Sequence, residues 1–136
     1  MNKPYLKILM IPSLTIATHL YAETDAPDVY SQCVDQTIKE MKLDSINNMV
    51  VDACSNQAKS VYEKQIVKLL DQIRKQSQEY EQSERFNDIM KSQRLWKVYV
   101  DQECSNAGNY IGSPMYSYCP MLEYGKRVDQ LNEYLN

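Results

Sequence analysis

The chain has 136 residues, of which 43% are hydrophobic, so it can bury the core of one domain and is not compositionally disordered. It carries 15 basic and 18 acidic side chains, a net charge of −3, and a single histidine, His19. Because His19 sits in a leader-like N-terminus, Ser-His and Cys-His catalysis, a histidine general base and histidine metal ligation are all excluded for the remainder.

Residues 1–22 have the layout of a secretory signal peptide: Lys3 and Lys7, an apolar run from Ile8 to Ala17, then Leu20-Tyr21-Ala22 with a small residue before the cut. Pro12, Thr18 and His19 interrupt the run, which is too short to span a bilayer at about 20 apolar residues. The residue immediately after Ala22 is Glu23 and not a cysteine, which argues against lipoprotein processing. Residues 23–136 are then expected as one soluble, exported domain, periplasmic or secreted. Without the leader, 13 basic face 18 acidic side chains, a net charge of −5. That balance disfavours nucleic acid and anionic membranes as partners.

No proline occurs between Pro27 and Pro114, and all three glycines lie at or beyond Gly108. Such a long stretch without either breaker, rich in Gln, Glu, Lys, Leu, Ile and Val, predicts helices. A first helix is predicted from about Pro27 to Met41, with Val29, Cys33, Val34, Thr37, Ile38 and Met41 inward. Asp44 or Ser45 is expected to cap a second helix reaching about Tyr80. Its apolar residues Ile46, Met49, Val50, Ala53, Cys54, Ala58, Val61, Tyr62, Leu69, Leu70 and Ile73 recur at helical steps. A third helix from about Glu84 to Cys104 presents Phe86, Ile89, Met90, Trp96, Tyr99 and Val100. Turn-forming residues between Ser105 and Pro120 predict a loop. A last helix runs from Met121 to Leu135, with Leu122, Val128, Leu131 and Leu135 inward and Gly125 a weak point. The expected class is all-α: a small, disulfide-stapled bundle of about four helices, with a tyrosine-rich loop before the last.

Cys33, Cys54, Cys104 and Cys119 are an even set in an exported chain, so two disulfides are expected. Their intervals are far longer than the two-to-four-residue spacing of zinc ligand pairs, and no metal or other cofactor is expected. Three pairings are possible. Cys33–Cys54 with Cys104–Cys119 is preferred, because each joins segments that one turn brings back together.

The most distinctive block is Gln93-Arg94-Leu95-Trp96-Lys97-Val98-Tyr99-Val100-Asp101-Gln102-Glu103-Cys104. Trp96 and Tyr99, three residues apart, are expected on one face packing across the bundle, with Arg94 and Asp101 as charge partners for other helices. Further on come Tyr110-Ile111-Gly112-Ser113, Cys119, and Arg127 with Leu131. With Cys33 and Cys54, this order and spacing resembles the LprI-like family, the lysozyme-inhibitor LprI N-terminal-domain group of small exported bacterial proteins. The family motif falls on Gln93, Arg94, Trp96, Tyr99, Asp101 and Arg127. The chain departs from the pattern at Val100, where many relatives have Arg, and at Ala58-Lys59, where they have Leu-Asn.

Tyrosines on a constrained polar loop suit a binding surface, because they offer contact area with little entropy to lose. Tyr110, Gly112, Ser113, Tyr116 and Tyr118 are therefore the candidate binding loop, with Met121 and Tyr124 extending it. Carboxylates one or two apart on a helix, such as Asp101 and Glu103, point to different faces and make a poor glycosidase pair. No catalytic residue is assigned. The resemblance implies a non-enzymatic protein that binds and occludes lysozyme-type peptidoglycan hydrolases. A periplasmic immunity protein neutralising an antibacterial toxin, such as a type VI secretion effector, is the alternative of a different class, and a non-inhibitory envelope protein the third.

Overall fold

The computed structural model describes residues 28–136, so the leader and its cleavage point lie outside the described residues. Four helices follow in order: α1 (Val29–Met41), α2 (Asn48–Glu79), α3 (Ser83–Tyr110) and α4 (Met115–Glu133). Among the described residues there is no strand.

Local chemistry sets the helix ends. Asp28 caps α1 by accepting from the Ser31 N–H at 2.7 Å. Lys42 stops it in the left-handed region, φ 53°, and the Leu43 N–H closes on the Ile38 carbonyl. This C-terminal motif pushes the next start downstream, so the α2 cap is Asn47, accepting from the Val50 N–H at 3.1 Å, and not Asp44 or Ser45.

With 32 residues, or about 48 Å of rise, α2 is the spine of the fold. Its first turns pair with α1 as a two-helix arm around Cys33, Val50 and Cys54. Its C-terminal half joins α3 and α4 in a three-helix bundle, with α4 parallel to α2 and α3 antiparallel to both. The bundle core holds Ile66, Leu69, Ile73, Ile89, Val100, Tyr124 and Leu131. Each unit has its own staple: Cys33–Cys54 in the arm, with Cα atoms 5.5 Å apart, and Cys104–Cys119 in the bundle, at 5.4 Å. That is the preferred pairing.

The expected loop from Ser105 to Pro120 is mostly helix. α3 continues to Tyr110 and α4 begins at Met115, leaving a four-residue turn. The glycine that suggested a loop, Gly108, serves packing instead. A Cβ there would lie 2.3 Å from two carbons of the Tyr116 ring. Only Gly112, at φ +97°, needs glycine for its backbone.

Several residues expected inward are exposed. Met41, Ile46, Met49 and Ala53 are exposed around the α1–α2 connection and the first turns of α2. Leu122 lies at the margin of α4 and is 39% exposed. Tyr99 is 55% exposed while Trp96 packs inward, because a three-residue step turns the helix short of a full circle and carries Tyr99 off the buried face.

Candidate functional site

Half of the motif residues meet inside the bundle. Arg127 on α4 is buried at 5% exposure and has no carboxylate partner among the described residues. Its guanidinium donates from Nε to Gln93 Oε1 at 2.8 Å, and from its two terminal nitrogens to Ser92 Oγ and Gln130 Oε1, both at 3.1 Å. Burial lowers its pKa from the usual arginine value. The guanidinium carbon lies 5.7 Å from the centre of the Trp96 ring. Trp96 meets Tyr124 edge to face at 5.0 Å, and Lys59 on α2 sits 4.8 Å above Tyr124. Cation, two rings and cation thus form a column joining α2, α3 and α4. Gln93, Trp96 and Arg127 act on packing through it.

Arg94, Tyr99, Asp101 and Glu103 point outward. Asp101 pairs with Lys97 one turn back on its own helix, and the hydrogen bond holds Lys97 above the usual lysine range. It does not pair with another helix. A shallow groove of about 390 Å³ opens beside it where α2, α3 and α4 meet, lined by Lys59, Glu63, Lys97, Asp101, Tyr116 and Tyr124. Its charges neutralise one another: Lys59 meets Glu63 at 2.6 Å and Lys97 meets Asp101.

The end of the α3–α4 hairpin differs in kind. No Asp, Glu, Lys or Arg occurs in the 19 residues from Cys104 to Leu122, in a chain that is 24% charged. Three large side chains stand out from this end: Tyr110 at 87%, Ile111 at 73% and Tyr116 at 60% exposure. Gly112 and Ser113 form the turn between them. The Tyr116 hydroxyl donates to Asn109 Oδ1 at 3.1 Å while its ring lies against Gly108, so it is positioned although exposed. Cys104–Cys119 ties the two helices just beneath. The composition, Tyr with Ser, Gly and Asn on a stapled support, is that of adaptable protein-binding surfaces.

Tyr118 is not part of this end. It turns toward α1 and meets Tyr30 edge to face at 5.5 Å. Burial, then Tyr118 and Asp28, raise the Tyr30 pKa. Met121 and Tyr124 are buried and do not extend the surface. Among the described residues no group of three or more His, Cys, Asp or Glu is placed to hold a metal, and no helix is long and apolar enough to cross a membrane.

Sequence reasoning missed Ser92, Lys59 and Lys97, whose types carry no signal of their roles. It had Ile111 only as a motif spacer. The charge-free run was the visible clue to the exposed end.

The chain matches no curated protein and no solved structure. The family model described as "Lysozyme inhibitor LprI" matches residues 39–131, which take in most of the chain and every motif residue named above. With that match, the spaced motif and the stapled helices, the chain belongs to the LprI lysozyme inhibitor family.

Proposed function

We propose that the protein is an exported inhibitor of lysozyme-type peptidoglycan hydrolases that works by binding, with the α3–α4 tip as its contact surface. Family membership supports the class of activity. The observation that carries the surface is the tip itself, where Tyr110, Ile111 and Tyr116 are exposed on the charge-free hairpin end. The disulfide beneath it lowers the ordering cost of association. Elsewhere the chain is acidic, which speeds encounter with a basic lysozyme and makes the on-rate fall as salt rises.

The test is inhibition of a c-type lysozyme by the oxidised protein from Glu23 onward, at two salt concentrations. Dose-dependent inhibition that Tyr110→Ala and Tyr116→Ala each weaken by about tenfold or more agrees with the reading. Inhibition that neither variant changes removes the tip as the contact surface. Absence of inhibition at micromolar excess, with both disulfides formed, rejects the function.

A further inference from the structure

Resting on that inhibitory reading, we infer that the tip enters the hydrolase's substrate cleft and is held there by hydrogen bonds donated to the catalytic carboxylates. Hydrolases of this class commonly place two carboxyl groups across the scissile bond. A surface bearing its own carboxylates meets like-charge repulsion there, sharpened as water is excluded. Most of this molecule is such a surface. Glu79, Glu81 and Glu84 crowd the opposite end, and Glu103 and Glu123 bound the uncharged run on either side. The tip is the stretch that can enter without that penalty.

Its side chains offer donors. The Tyr110 hydroxyl has no partner among the described residues. The Asn106 side-chain oxygen already accepts from Gln102 Nε2 at 3.0 Å, which leaves the Asn106 amide N–H groups to donate outward. The Tyr116 hydroxyl donates to the Asn109 oxygen at 3.1 Å, so its proton is committed within the tip. Ser113, exposed in the turn, adds a hydroxyl that rotates to suit. Hydroxyl and amide N–H groups are also what an N-acetylated glycan strand offers such a cleft. A hydrogen bond to an ionised carboxylate is about twice as strong as a neutral one, so the hydroxyl of Tyr110 contributes beyond its ring.

The test measures binding of the oxidised full domain to three forms: lysozyme, lysozyme with an N-acetylglucosamine trimer filling the cleft, and an inactive lysozyme with both catalytic carboxylates changed to amides. The trimer is expected to compete, raising the apparent Kd in proportion to its own occupancy. The amide variant is expected to bind about tenfold more weakly. Tyr110→Phe, which removes one hydroxyl, is expected to lose about fivefold against lysozyme and almost nothing against the amide variant. Binding that the trimer leaves unchanged overturns the cleft placement while the inhibitory reading stands. Competition by the trimer with equal affinity for both lysozymes overturns the carboxylate contact. Absence of binding to any form rejects the inhibitory reading itself.

Discussion

Gly108→Ala separates the tip's function from the stability of the fold. A Cβ at position 108 would lie 2.3 Å from the Tyr116 Cδ1 and Cε1 atoms and 2.8 Å from Cγ. Carbon atoms rest at about 3.5–4.0 Å, so the ring must withdraw by more than about 1 Å, and crowding at Cγ requires a new χ1 rotamer. Tyr116 is 60% exposed, so it has room to move. The loss is its contact with α3 and one exposed hydrogen bond to Asn109, together about 1 kcal/mol. The gain is the helix preference of alanine over glycine, again about 1 kcal/mol. Net stability should therefore change by less than about 1 kcal/mol, a Tm shift within about 8 °C. Affinity should fall much further. A displaced hot-spot tyrosine costs about 2 kcal/mol, or about thirtyfold in Kd. Thermal unfolding and lysozyme inhibition on the same preparation, with NMR to confirm that the ring has moved, make the assay. Unchanged inhibition with a displaced ring would refute the reasoning.

Other outcomes follow from the interior. Arg127→Ala leaves Gln93 and Ser92 without their donor and uncovers Trp96, so urea unfolding should show a loss of about 3 kcal/mol. Arg127→Lys should recover little, because an ammonium cannot reach three acceptors in a fork. Gly125→Ala should stabilise by about 0.5–1 kcal/mol, since its Cβ would meet the Tyr62 ring at an ordinary 3.4 Å within a helix. Replacing Cys33 and Cys54 by serine should cost about 3 kcal/mol and raise hydrogen exchange in α1, while inhibition persists because the tip lies on the other unit. At alkaline pH, Tyr30 and Tyr62 have pKa values raised chiefly by burial. Their contribution is complete below the unfolded value of 10.0 and is lost as pH rises through the folded values, which stability measured against pH should show.

The helical class and the disulfide pairing were legible because both depend on local, additive signals. The breaker-free stretch from Asp28 to Ala107 leaves little but helix, and each cysteine pair spans one turn of chain. The tip was misread as a long loop because Asn106, Gly108 and Asn109 have turn propensities that the hairpin overrides. Gly108 is where Tyr116 approaches, a reason for glycine that only tertiary packing reveals. The α2 cap was misplaced because Asp44, Ser45 and Asn47 are all good caps, and the choice follows from how α1 ends at Lys42. Arg127 was recognised only through its place in the motif. Its neighbours Lys126, Asp129 and Gln130 are those of a surface, and nothing in them shows that its guanidinium lies under Trp96. Of the site, the aromatic composition could be read from the chain. The separation of Tyr118 from Tyr110 and Tyr116 could not, since it depends on where α1 packs.

The most direct test of the tip as the contact surface is hydrogen–deuterium exchange of the oxidised domain with and without saturating lysozyme. Protection confined to residues 105–116 and the adjoining turn of α4, with the α1–α2 arm unchanged, is the predicted result. Protection on the arm or along the outer face of α3, with the tip still exchanging freely, would contradict it.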